Sequence, residues 1–219
     1  KREIPVKLSL EDSIFLYQIV RRTRNAIQSS ALVESFNEIS ESLTTKGRNE
    51  TLQAIVRSAL NVLHADLVVL FPYENRTIRV GDAVFAGVFP KQHSIEKDKP
   101  ANAANIIIKE GTQWLSSASD YFRLLEKSSG IVLTEEEKKQ TFWVGNDIKA
   151  VAAIRLEFQG RVLGVKFFNY ALSTPTFDDP DNRKFIQAFA RYAIAVFLNA
   201  NFLHKIEAEL AQLQRETAE

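Results

Sequence analysis

The chain contains no cysteine in its 219 residues. That absence removes disulfide frameworks, thiol nucleophiles, cysteine-ligated zinc and iron–sulfur clusters. Net charge is nearly absent too: 28 Lys+Arg stand against 27 Asp+Glu, which leaves +1. Nucleic-acid binders carry a basic bias, so no nucleic-acid partner is expected. No apolar run reaches the ~18 residues of a membrane span, and no segment has the basic, apolar, small-residue order of a signal peptide. A disulfide-free chain of this kind is expected in the cytoplasm, without membrane contact. The eight glycines form no phosphate-cradling loop, and no nucleophile elbow with a Ser/His/Asp order is present, so no catalytic residue is assigned. Methionine is missing, and no physical reason for that is apparent. The chain opens at Lys1, and it is expected to be a piece of a longer protein.

What is present is globular. Hydrophobic residues make up 45% and charged residues 25%, and a domain of this length can bury roughly 70% of its unfolded surface without a metal or disulfide staple. Nothing breaks a helix from Glu11 to Thr45, and Leu32, Phe36, Ile39 and Leu43 make an amphipathic stripe. Arg21, Arg22 and Arg24 on its earlier half read as a solvated face. A second helix is predicted from Asn49 to His64, then a strand over Asp66–Tyr73, a turn at Glu74-Asn75-Arg76 and a second strand from Thr77 to Gly87. After an irregular segment, Pro90 to Pro100, come a helix from Ala101 to Glu110 and a short strand from Thr112 to Ser116. Asp120 caps a turn or two through Leu125, and Thr134 with Glu137 forms a capping box for a helix to about Trp143.

The clearest local signal is a hairpin. Ile148–Phe158 and Arg161–Tyr170 are β-rich runs joined by Gln159-Gly160. A two-residue loop predicts the pairs Phe158 with Arg161, Leu156 with Leu163, Ile154 with Val165 and Ala152 with Phe167. That face is apolar and is expected against helices. The other face carries Arg155, Glu157, Lys166, Phe168 and Tyr170. Asp178-Asp179-Pro180 starts a last helix that runs nearly to the end. Past Asn199 its stripe thins to Phe202, Ile206, Leu210 and Leu213 among polar residues, a pattern suited to pairing with a second copy. The whole order implies an α+β fold, an antiparallel sheet with helices packed on one face and long N- and C-terminal helices.

These elements resemble a GAF domain, the small-molecule-sensing module of bacterial signalling proteins, in a PAS-related fold. The match lies in Ile148–Val165 as the penultimate hairpin, in Phe177-Asp178 before the long helix with Ala193–Ala200, and in Glu110-Gly111 before a short strand. It divides the chain into an N-terminal signalling and dimerisation helix (1–31), a sensor domain (32–203) and the start of a helical linker to an output domain (204–219). The resemblance also excludes. Covalent bilin attachment and methionine sulfoxide reduction need cysteines that this chain lacks. The cyclic-nucleotide subfamily carries an Asn-Lys pair, a Phe and an Asp-Glu pair, where this chain reads Asn169-Tyr170, Phe177 and Asp181-Asn182. With Lys and Glu both missing, cyclic nucleotides fit poorly, and the cofactor is left unnamed.

In such a fold the second face of the hairpin floors the ligand cavity. Arg155 and Lys166 would then suit a carboxylate or phosphate, so a small anionic ligand is one expectation, with Phe168 beside it. The other is that Arg155 simply pairs with Glu157 along the same face, and this weighs slightly more because exposed ion pairs are common. Tyr121 and Trp143, with Phe142 and Phe122, lie in the crossover that closes the cavity. They either stack on a flat ligand or fill the core, and packing is the commoner role. His64, His93 and His204 share no ligand spacing. His93 is the one candidate for a haem or metal, and solvent exposure is the plainer reading. Asp178, Asp179 and Asp181 are read as helix caps. No metal site is assigned.

The resemblance implies a regulatory sensor in a two-component system, dimeric through its terminal helices, which signals to a histidine kinase or, second, a nucleotide cyclase. Two alternatives stay open: a ligand-free dimerisation or interaction module, and an enzyme on the same fold.

Overall fold

A computed structural model describes residues 30–39, 48–88, 99–172 and 177–216, together with the single positions Ile19 and Glu41. Residues 30–39 are helical (α1). Then follow α2 (Arg48–Leu63), β1 (Leu67–Glu74), β2 (Thr77–Ile78), a 3-10 turn (Val80–Asp82) and β3 (Val84–Gly87). Next come α3 (Pro100–Glu110), β4 (Gln113–Leu115), α4 (Ala118–Ser129), α5 (Glu135–Lys139) and α6 (Phe142–Gly145). The chain closes with β5 (Ala150–Phe158), β6 (Arg161–Tyr170) and α7 (Pro180–Glu216). The Glu11–Thr45 helix is seen only at the positions given above; its arginine cluster, His93, the side chain of His204 and most of the irregular Pro90–Pro100 segment lie outside the described residues.

The six strands form one antiparallel sheet in the order β2-β1-β6-β5-β4, with β3 also on β1. β1 with β2 and β5 with β6 pair as tight hairpins, β4, between α3 and α4, joins the β5 edge, and β1 joins β6 across the middle. Both tight turns use left-handed residues: Asn75 and Arg76 at φ 52° and 61°, Gln159 and Gly160 at 49° and 77°. Such angles suit the right-handed twist of the flanking strands. The predicted strand Thr77–Gly87 is broken in two. It leaves the sheet over Val80–Asp82, where Arg79 Nε bonds Asp82 Oδ2 at 3.1 Å, and rejoins at Val84.

One face of the sheet packs on the long helices. Val68 and Leu70 of β1, Ala152, Ile154 and Leu156 of β5, and Leu163, Phe168 and Tyr170 of β6 bury themselves against α2 and α7. From the helices come Leu52, Ile55, Val56 and Ala59 on α2, and Ile186, Phe189, Ala190 and Ala193 on α7. These recur at the three- and four-residue spacing of one helical stripe. Helix α1 joins this layer through Phe36, whose ring stacks on Tyr192 at 3.6 Å and whose carbonyl accepts the Tyr192 hydroxyl at 2.6 Å.

The opposite face carries a second core, roofed by the short crossover helices α3, α4 and α6. Local signals set this roof. Gly111 stops α3 at φ 84°, Ser117 caps α4 by accepting from Asp120 N, and Gly130 ends α4 in the left-handed region. Asp120 is therefore the third residue of α4, not its cap, and the helix runs past Leu125 to Ser129. Partial burial pulls its carboxyl up, but hydrogen bonds from Ser117, Arg123 and Ser116 outweigh this and hold it below the usual carboxylate range. The Thr134/Glu137 capping box is present. The helix it opens stops at Lys139, however, and buried Thr141 caps a separate turn, α6.

The hairpin register departs from the expected one. Phe158 pairs with Arg161 and Glu157 with Val162, but Leu156 then faces Gly164, so Leu163 is an extra residue on β6. Beyond this bulge Arg155 faces Val165, Ile154 faces Lys166 and Ala152 faces Phe168. Side chains alternate along a strand, so one inserted residue moves every later side chain to the other face. Gly164 lets the bulge sit against β1: a Cβ there would lie 2.6 Å from the Phe71 carbonyl oxygen.

Candidate functional site

Between the sheet and its crossover roof lies a cavity of about 290 Å³. Leu67, Val69 and Phe71 of β1, Val151 of β5, and Phe167 and Asn169 of β6 form its floor. Ala103, Ile106 and Ile107 of α3, Tyr121 and Leu124 of α4, and Phe142 and Trp143 of α6 form its roof. The excursion between β2 and β3 supplies a side wall through Val80, Ala83 and Phe85. Among the described residues its lining includes no charged side chain.

Of the residues singled out in the sequence, Tyr121 and Trp143 meet at this cavity. Their rings stack at 5.5 Å and 18°, and both are almost wholly buried. Trp143 is held by its own helical turn. Thr141 Oγ1 accepts from Val144 N at 3.3 Å and donates to Lys138 O at 2.7 Å, and the Trp143 carbonyl accepts from Ile148 N at 3.0 Å. Its indole Nε1 is buried without a hydrogen-bond partner. Asn169, also buried, spends its side-chain N–H on the Leu67 carbonyl at 3.2 Å.

Arg155, Lys166 and Phe168 do not come together there, which corrects the expected common face. Arg155 is on the roofed side of the sheet, beside the cavity but not in its lining. Its Nη1 donates to the Ile108 carbonyl at 3.0 Å and its Nη2 meets Glu157 Oε2 at 2.7 Å. Ile108 is in the last turn of α3, where carbonyls lack helical partners and the helix dipole favours a cation. Arg155 thus pins the roof helix to the sheet, and the ion pair with Glu157 anticipated from spacing is present.

Lys166 and Phe168 lie on the other face, under α7. Lys166 is fully buried, its Nζ 4.7 Å from the Phe189 ring centroid and 5.2 Å from that of Phe168, with no hydrogen-bond partner. Burial pulls its amine down from 10.5 to about 7. Tyr170, expected on the cavity floor, is buried on this side too. Burial first, then the Asp66 carboxylate, pushes its phenol upward.

Phe167 and Val165, expected against the long helices, lie on the opposite face instead, and Phe167 floors the cavity with Asn169, because the bulge exchanges the two faces of β6. A glycine inside a strand is the one signal that could have shown it. Among the described residues no cluster of His, Asp and Glu could hold a metal ion, and no helix is long and apolar enough to cross a membrane.

A six-stranded antiparallel sheet with long helices on one face and a roofed cavity on the other is the layout of a GAF domain. No protein-family model and no curated protein matches the chain, but solved structures do. It is similar to the GAF domain of an Acinetobacter phosphoenolpyruvate-protein phosphotransferase, at 12% identity and a TM-score of 0.51 over 80% of this chain and 95% of that one. It is similar to the GAF domain of a protein described as a sensor histidine kinase from Pseudomonas syringae, at 12% identity and TM-score 0.50 over 88% and 99%. It is also similar to a free methionine-R-sulfoxide reductase of Neisseria meningitidis solved with its substrate, at 10% identity and TM-score 0.55 over 82% and 93%. The chain has the GAF fold.

Proposed function

We propose that the chain is a regulatory sensor domain that binds a small molecule between the sheet and its crossover roof. It passes occupancy through its terminal helices to an output domain, and it does no chemistry of its own. The cavity carries this reading. Its floor strands are also the bed of α7: on β6, Phe167 and Asn169 line the cavity while Phe168 and Tyr170 pack in the α7 layer. A ligand that favours one spacing of sheet and roof biases the seat of α7 through the same strands. Helix α7 spans 37 residues and continues well past its buried stripe. Leu210 in its polar part is 53% exposed, which suits pairing with a second copy along that stripe. The likeness to a sensor-kinase GAF domain favours a histidine kinase as the output, with a nucleotide cyclase next.

Native mass spectrometry of the chain purified from its own cytosol tests this. The expected result is a dimer that retains a small molecule, and a monomer when the chain is ended at Asn199. A monomer of full length with nothing bound, and with a melting temperature indifferent to the metabolite pool, overturns it.

A further inference from the structure

We infer that Asn169 is the recognition point of the cavity: its carboxamide oxygen accepts a hydrogen bond from the ligand, a flat aromatic molecule that carries an N–H or O–H group. This rests on the ligand-binding reading above and names the chemistry of its ligand. The first ground is the residue type. Asparagine is depleted in strands, yet Asn169 sits on β6 between Leu67 of β1 and Val151 of β5. Both neighbours line the same cavity, and neither side chain has a donor to offer. The second ground is what the amide already does. Its Nδ2 donates to the Leu67 carbonyl, which fixes the two ends of the amide, since a carbonyl takes only a donor. Oδ1 is left with its lone pairs and no donor among the described residues. The buried side-chain atoms that are both sealed and unpaired among those residues are Ser35 Oγ, Ser128 Oγ, Trp143 Nε1 and Lys166 Nζ. Asn169 Oδ1 is not one of them, so it is open to an atom from the cavity that its residue lines. Trp143 Nε1 is closed to any ligand, and Trp143 serves through its ring. Buried acceptors are nearly always satisfied, and a donor supplied from within the cavity completes this one.

Shape sets the body of the molecule. Trp143 and Tyr121 present near-parallel rings in the roof, and with Phe142 beside them and Phe71 and Phe167 on the floor they favour stacking or edge contact with a flat molecule. The volume of about 290 Å³ is roughly twice the ~150 Å³ of a cavity that holds benzene. Two fused rings, or one ring with a short chain, fit that space.

Indole and benzothiophene make the test. They share a bicyclic outline, and only indole has an N–H. Calorimetry on the whole chain gives the ratio of their two affinities, which cancels any general change to the pocket. Asn169→Val, close to asparagine in size, should shift that ratio toward benzothiophene roughly three- to tenfold, the worth of one hydrogen bond. On unmutated protein, the side-chain carbonyl carbon resonance of Asn169 should move downfield with indole and hold still with benzothiophene. This arm keeps the test alive if the variant, which leaves the Leu67 carbonyl without the Asn169 donor, folds poorly.

A ratio that Asn169→Val leaves unchanged overturns the recognition and leaves the sensor reading standing. So does a side-chain carbonyl resonance unmoved at saturation with indole. Failure of both probes to bind overturns the aromatic ligand class, and the sensor reading falls with it only when native protein also carries no molecule.

Discussion

The sharpest prediction concerns Lys166, which has nothing to bond. Its amine points among the rings of Phe168 and Phe189, between Leu70 and Ile154 on the neighbouring strands. The helix layer on this face supplies Ile55, Val56 and Ala59 from α2, Ile39 from α1, and Ile186 and Ala190 from α7, with Ser35, Thr51 and Ser58 the buried polar residues of α1 and α2. Among the described residues of these helices, Arg57, Lys184 and Arg191 are exposed. Burial therefore acts alone, and it lowers the amine from 10.5 to about 7. At about 1.36 kcal/mol per pH unit, that gap costs the folded state about 5 kcal/mol at pH 7 and below.

The sign follows from proton counts. Between about pH 7 and 10.5 the unfolded chain keeps a proton on Lys166 that the folded chain has lost, so stability rises with pH through this window. Lys166→Met keeps length and volume, removes the amine, and costs under about 1.5 kcal/mol in repacking. The variant should be more stable than the parent by about 3–5 kcal/mol at pH 7, and the advantage should shrink steadily toward pH 9.5. Staying below pH 10 avoids Tyr170: its phenol titrates above its ordinary 10.0 when folded, so stability falls as pH rises beyond that point. Urea unfolding followed by circular dichroism at pH 7.0, 8.3 and 9.5 gives the three differences. A gap that stays constant across these pH values, or a variant less stable than the parent at pH 7, refutes the reasoning.

Gly164→Ala puts a methyl group 2.6 Å from the Phe71 carbonyl oxygen, and since backbone cannot step aside it should lose about 1–3 kcal/mol in the same unfolding assay. An unchanged midpoint would mean that the bulge tolerates a side chain. Arg155→Ala strips the Ile108 carbonyl of its donor and should cost about 1–2 kcal/mol, discounted for its partly wet setting. Glu157→Ala should cost under about 0.5 kcal/mol. Added phosphate or succinate should shift the melting temperature of wild type and Arg155→Ala alike, and protection by anions in wild type alone would restore Arg155 as a ligand group.

Much of the fold is written locally. Helix α2 follows from its 3.6-residue stripe, and α3 ends where Gly111 permits a left-handed residue. The Gln159-Gly160 turn, the capping box at Thr134 and the Asp-Asp-Pro start of α7 depend only on residues a few positions apart. That is why they could be read without coordinates. The order of helices and strands then leaves few sheets to build. Tyr121 and Trp143 were also legible as roof aromatics, through the resemblance to a GAF domain, whose crossover closes the cavity.

The faces of β6 were another matter. An alternating strand states that its residues divide into two sets, but a bulge exchanges the sets, and nothing between Val162 and Tyr170 announces one except a glycine. What puts the bulge there is the fit of Gly164 against the Phe71 carbonyl on β1, more than ninety residues earlier in the chain. From it follow the cation buried beneath α7, Phe167 and Asn169 on the cavity floor, and a lining without charge among the described residues. Local sequence determined which segments are helices and strands, because those choices rest on contacts within a turn or two. The long-range pairing of β1 with β6 decided which side chains meet the cavity, since a shift of one residue costs a strand nothing until it packs against its neighbours.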